Sequence, residues 1–147
     1  MSDAAKPSHK VSLLIVDDDE DLRGSLSRYF RVLGYGVHEA PNGAEALRLL
    51  DREQVQVVIS DIMMPVMDGI DLLRAIKKEH PMVHVIMITG YVTMDNALAC
   101  MRLGADTLVF KPIEDFTALE SAVEKAVEAV RHWVRLLKQL QTMKPVS

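Results

Sequence analysis

A few ionisable side chains stand at the ends of apolar runs. Asp17 and Asp18 follow Val11–Val16, Asp61 follows Val55–Ser60, and Lys111 follows Leu108–Phe110. Neighbouring carboxylates repel one another unless a cation or solvent relieves them. Magnesium takes carboxylate and carbonyl oxygens in octahedral geometry and keeps several waters. Asp17, Asp18 and Asp61 meet that need if they converge. A carboxylate can also attack phosphorus to give an acyl phosphate. A metal shields the nucleophile's charge from the incoming phosphoryl oxygens, and a lysine supplies a compact charge to the same oxygens. Asp61 is therefore the candidate acceptor and Lys111 the candidate oxygen contact. Thr89-Gly90 ends another apolar run, where a hydroxyl can donate to a phosphoryl oxygen. Asp19 and Asp21 have a plainer role, as acids favoured at the positive start of a helix.

These residues meet only if the elements before them are parallel strands. Val11–Val16, Gly36–Ala40, Gln56–Ser60, Val83–Thr89 and Thr107–Phe110 read as strands. The solid Val/Ile content of the third implies burial on both faces. Between them lie stretches with apolar residues at helical spacing, such as Leu22, Leu26, Tyr29, Phe30 and Leu33. Gly34 and Gly104 mark helix ends. Pro65 blocks helix continuation after Asp61, and Asp68-Gly69 supplies turn chemistry. Five strands alternating with five helices predict an α/β fold, a parallel sheet covered on both faces. The expected form is a doubly wound, flavodoxin-like sheet of order 2-1-3-4-5, with its ligand site beyond the strand ends where the order reverses.

The chain has 147 residues, a net charge of -4, 49% apolar residues and one cysteine. One domain is expected. The acidic balance disfavours general nucleic-acid binding. No run approaches a membrane span, and the polar N-terminus lacks a signal-peptide core. The lone Cys100 fits a reduced, cytoplasmic setting. The histidines show no metal-ligand spacing and read as solvated or half-buried side chains.

Val16-Asp17-Asp18, Ser60–Gly69, Thr89-Gly90, Gly104-Ala105-Asp106 and Phe110-Lys111-Pro112 together resemble the receiver domain of bacterial two-component response regulators, in particular receivers of the nitrogen-regulator class. The resemblance runs from about Val11 to Val130. It implies that Asp61 is the phosphoacceptor, served by a histidine kinase or another phosphohistidine protein. It implies Mg2+ held directly by Asp18 and Asp61, through water by Asp17, and by the backbone carbonyl of Met63. It makes Thr89 the switch hydroxyl and Lys111 the acyl-phosphate contact, with a cis Lys111–Pro112 peptide. The output would be a changed face on the fourth helix, fifth strand and fifth helix. Such a domain is not an enzyme with a separate substrate, although it assists its own phosphorylation and dephosphorylation. One position departs: Leu108 stands where the resemblance expects Tyr or Phe, so the usual aromatic swing behind Thr89 is missing. Tyr91 and Met63 are placed to restrict water at the acyl phosphate.

Two other readings compete. A haloacid-dehalogenase-type phosphohydrolase would use Asp17 as its nucleophile, but Glu20-Asp21 follow where that family has Thr or Val. A binding-only module that has lost phosphorylation is the other.

The chain divides into a disordered lead (1–10), a receiver-like domain (11–130) and an extension (131–147) of the last helix ending in a short polar tail. In the last helix, Leu119, Val123, Ala126, Val130, Trp133, Leu137 and Leu140 alternate spacings of four and three. That is a heptad seam. Its first half is expected to pack on the sheet; its second is read as a self-association surface for a homodimer, with a partner-docking helix, a linker to an output domain and a fold back onto the domain as the alternatives.

Overall fold

The computed structural model describes residues 10–143. The expected lead over residues 1–10, save Lys10, and the tail end 144–147 lie outside the described residues. The strands are β1 (Ser12–Val16), β2 (Gly36–Ala40), β3 (Val57–Asp61), β4 (His84–Thr89) and β5 (Thr107–Phe110). The helices are α1 (Glu20–Val32), α2 (Gly43–Arg52), α3 (Gly69–Glu79), α4 (Met94–Arg102) and α5 (Thr117–Thr142). All pairings are parallel, in the order β2-β1-β3-β4-β5, so the expected flavodoxin-like sheet is the observed one.

Each central strand feeds two cores. In β1, Leu14 and Val16 point to the layer of α2, α3 and α4, while Leu13 and Ile15 point to the layer of α1 and α5. In β3, Val58 serves the first layer and Val57 and Ile59 the second. Alternation is invisible in the sequence because both faces are dry. Burying one such side chain contributes about 1.5–3 kcal/mol. The strands beneath the carboxylates are thus held firmly enough to offset the repulsion above them.

Helix starts follow from local caps. Asp19 accepts from the amides of Asp21 and Leu22, as its plainer role required. Asn42, Asp68 and Thr93 cap α2, α3 and α4 in the same way. Thr93 sets the start of α4 at Met94: its hydroxyl accepts from the Asn96 amide at 3.1 Å. The last helix outruns its expected polar tail and continues through Thr142. At 1.5 Å per residue it is about 39 Å long, more than the sheet needs. Leu119, Val123, Ala126 and Val127 are buried, and every residue from Arg131 to Thr142 is exposed. No described helix is long and apolar enough to cross a membrane.

Candidate functional site

Register builds the site. Val16 pairs with Ser60, so Asp17 and Asp61, one residue further along, stand side by side. Thr89 pairs with Phe110, and the Lys111 amide donates to the Thr89 carbonyl at 2.8 Å, which brings Lys111 to the same rim. Asp17, Asp18 and Asp61 offer carboxylate oxygens that all lie within 4.8 Å of one another. Lys111 Nζ donates to Asp61 Oδ2 at 2.9 Å and lies 3.1 Å from Asp17 Oδ2. A cavity of about 450 Å3, lined by Asp19, Leu22, Gly90, Lys111, Pro112 and Ile113, opens beside it.

The carboxylates differ in setting. Asp17 and Asp61 are buried, while Asp18 is exposed. Asp17 Oδ1 accepts from the Asp19 amide at 2.9 Å. Its Oδ2 is buried and makes no hydrogen bond among the described residues; the Lys111 ammonium, 3.1 Å away, offers it charge attraction. Burial pushes the Asp17 carboxyl above its ordinary range; the Asp19 amide and Lys111 pull it partly back, and the Asp61 charge adds to the rise. Burial pulls the Lys111 ammonium down, but its hydrogen bond to Asp61 and the charges of Asp17 and Asp61 outweigh that and leave it raised. An orphaned buried carboxylate oxygen beside two further carboxylates is a donor set that a hard divalent cation satisfies. The residues present fit Mg2+.

Thr89 is buried at the end of β4, but its hydroxyl is engaged elsewhere. It donates to the Tyr91 carbonyl at 2.7 Å and accepts from the Tyr91 amide at 3.2 Å. Met63 turns its amide toward Asp61 Oδ1 at 3.4 Å and leaves its side chain exposed. The Lys111–Pro112 peptide is cis.

Two residues have roles at the site that the sequence reading did not give them: Gly69, read there as a turn residue, and Arg23. A Cβ on Gly69 would sit 2.0 Å from the Asp61 carbonyl oxygen and 2.8 Å from Ile62 Cα. Gly69 is there because α3 begins against the backbone that carries Asp61; turn chemistry is not the reason. Arg23 donates to the Asp17 carbonyl at 2.7 Å and to Glu39 at 3.1 Å, tying α1 to the end of β1. A cation in the first turn of a helix opposes the helix dipole, and that was the available signal.

A second cluster, Asp51, Glu79 and His80, lies at the far ends of α2 and α3, where His80 Nε2 meets Asp51 Oδ1 at 3.1 Å. It is a solvent-facing pair with a neighbouring acid, remote from the site.

The family model for the response regulator receiver domain matches residues 13–124. The chain belongs to the response regulator receiver family. It is 41% identical over 123 residues to the transcriptional regulatory protein GlrR of Escherichia coli strain K12, covering 84% of this chain and 27% of that relative's length. A CheY-like receiver domain protein from Methanospirillum hungatei superposes with a TM-score of 0.78 at 32% identity, over 84% of this chain and 98% of that one. The response regulator TrrA from Thermotoga maritima, solved in complex with Mg2+-BeF, superposes with a TM-score of 0.72 at 30% identity, over 79% of this chain and 98% of that one. Receivers are signalling domains. In this receiver Leu108 is half-buried and packs on the layer of α2, α3 and α4, while the ring on β5 is Phe110, exposed and paired in register with Thr89.

Proposed function

We propose that this receiver accepts a phosphoryl group on Asp61 from a phosphohistidine of a sensor kinase or phosphotransfer protein, with Mg2+ held by Asp17, Asp18, Asp61 and the Met63 carbonyl. One observation carries the reading: three convergent carboxylates with Lys111 Nζ hydrogen-bonded to the Asp61 carboxylate. The Mg2+-BeF complex of TrrA supports the same chemistry here. In the transfer an Asp61 oxygen forms the new P–O bond as the P–N bond breaks, and the imidazole leaves with the electron pair. Lys111 then exchanges part of its contact with the Asp61 carboxylate for a phosphoryl oxygen. Mg2+, when bound, offsets the negative charge that the acceptor and the phosphoryl group share.

The product shifts a two-state equilibrium through its different contacts with Thr89 and Lys111. A single hydroxyl proton cannot serve both the Tyr91 carbonyl and a phosphoryl oxygen, so the loop after β4 must respond when Thr89 turns. Leu108 cannot swing as a ring does, so the readout on α4, β5 and α5 passes through that loop. Tyr91 and Met63 limit water at the product; Tyr91→Ala shortens the lifetime of the label, and an unchanged lifetime removes Tyr91 from that role. The last helix beyond Val130 serves self-association. The setting is cytoplasmic.

Incubation with Mg2+ and a small phosphodonor, followed by intact mass measurement, tests the central step. The expected result is a gain of one phosphoryl mass that Asp61→Asn abolishes and chelation prevents. A label that survives Asp61→Asn, or disappears only with Asp17→Asn, overturns the reading in favour of a hydrolase-like nucleophile.

A further inference from the structure

The seam of α5 continues past the sheet, and the residues beside it are also apolar. Val130, Trp133, Leu137 and Leu140 form the seam, and Val134, Leu136 and Met143 flank it. Charged and polar residues (Arg131, His132, Arg135, Lys138, Gln139) occupy the remaining face. An apolar face this wide is broader than a two-stranded coiled coil covers. Trp133 is 52% exposed, Leu137 54% and Leu140 63%.

A groove of about 280 Å3 runs beside this stretch, walled by Trp133, Val134 and Leu137 on one side and by Val55, Met82 and Val83 at the entrances of β3 and β4 on the other. Met82 is itself 65% exposed. The groove shares Val55 and Val83 with a second cavity that carries Asp51 and Glu53, with Arg52 as its one arginine or lysine. Glu79 adjoins through the Asp51–His80 pair. The base of the sheet is thus an apolar groove with carboxylates along one margin, where Lys77 Nζ also donates to the Val83 carbonyl at 3.0 Å, and with Lys10 on the side of Val11; the helix over it is an apolar stripe with a basic margin. Among the described residues, Arg131, Lys138, Glu53 and Glu79 have no ion-pair partner, and Arg135 reaches only Glu128, at 3.7 Å.

One chain therefore carries an exposed apolar helix face beside a groove whose base is open at Met82, with Val55 and Val83 buried at its floor. We propose that a second copy of this chain covers it. Each protomer lays the exposed part of α5 on the base of the other, with Trp133, Val134 and Leu137 against Met82 at the mouth of the groove, and with the Arg131–Arg135–Lys138 margin facing Asp51, Glu53 and Glu79. This rests on the self-association reading above and names the surface that it uses. The contact is isologous, so it closes at two copies. It lies at the opposite end of the strands from Asp61, so it forms whether or not Asp61 is phosphorylated.

Trp133 is the chain's one tryptophan, so its fluorescence reports the contact directly. Sedimentation velocity on the full chain is expected to show dimers at micromolar concentration, with Trp133 emission moving to shorter wavelength as they form. Leu137→Asp gives a monomer with unshifted emission. Reversing the basic margin (Arg131→Glu, Arg135→Glu, Lys138→Glu) weakens the dimer roughly tenfold or more. Reversing the acidic margin (Asp51→Lys, Glu53→Lys, Glu79→Lys) does the same. A mixture of the two reversed chains regains association as a heterodimer. A wild-type monomer at every concentration overturns the proposal, and so does a mixture that stays monomeric. Phosphodonor labelling of the same samples keeps the two readings apart. Label on Asp61 without dimers defeats only this inference, and dimers without label defeat only the phosphoacceptor.

Discussion

Asp17 is buried, acidic and one hydrogen bond short. Its carboxyl is raised by burial, so the fold prefers it protonated. A group whose folded value lies above its unfolded one contributes stability that is fully present below the unfolded value of 3.8 and is lost as pH rises through the folded one. In metal-free buffer at neutral pH Asp17 is therefore a net burden on the fold. Asp17→Asn should raise the metal-free melting temperature by a few degrees at pH 7, flatten the pH dependence just above 3.8, and weaken Mg2+ binding. Melting curves with and without Mg2+ check this; a variant less stable than wild type at pH 7 without metal contradicts it. Val66 is a second costly residue. It is β-branched with φ at 73°, centred in a γ-turn closed by the Met67 amide and the Pro65 carbonyl at 2.8 Å. Such a conformation costs a side-chain-bearing residue on the order of 1–3 kcal/mol. Val66→Asn, which tolerates positive φ, should gain about 1 kcal/mol in denaturant unfolding without loss of phosphodonor labelling. Neither burden was legible in the sequence. Asp17 and Asp18 look equivalent there, and only the register of β1 against β3 buries one and exposes the other.

At the scale of elements, the junction of β3 and α3 sets how well Asp61 is aimed. The Gly69 amide donates to the Ile62 carbonyl at 2.8 Å, and its Cα sits against the Asp61 peptide. Gly69→Ala forces backbone against backbone, which a flexible side chain cannot relieve. The expected cost is roughly 3 kcal/mol, with a larger loss of label on Asp61 than any drop in folded fraction explains. Labelling measured well below the melting transition separates the two effects; a normally labelled variant would show that the loop shifts without moving the carboxylate. The sequence exposed the elements themselves well, because β1, β3, β4 and β5 end at or beside Asp17, Asp61, Thr89 and Lys111, and α1 to α4 each open on an Asp, Asn or Thr cap. It exposed Gly69 poorly, because close approach between distant backbones leaves no local pattern. The same applies to Thr89, whose place at the strand end was readable but whose engagement with the Tyr91 peptide depends on a loop path that no periodicity encodes. Among the described helices only α5 starts without a side-chain cap at its first position; Asp115 accepts from the Thr117 hydroxyl and amide instead, and the two hold its carboxyl below the ordinary range.

Across the whole molecule, the acidic rim and the proposed association surface sit at opposite ends of the strands, joined by α5. The upper part of that helix is fastened to α1, where the Tyr29 hydroxyl donates to Glu120 and its ring meets Phe116 edge-on at 5.0 Å. Hydrogen bonding to Glu120 pushes the Tyr29 phenol up to about 12, so this link stays protonated and intact throughout the physiological range. The lower part, from Arg131 to Thr142, is exposed throughout. Removing the helix beyond Val130 therefore takes no described side chain from either core. A chain ending at Val130 should unfold within about 0.5 kcal/mol of the full chain when both are compared as monomers. It should take up label on Asp61 at the same rate, and sediment as a monomer at concentrations where the full chain is dimeric. If labelling slowed in proportion to the loss of dimer, the two ends of α5 would be coupled, and the separation of phosphoacceptor and association surface along this helix would be wrong.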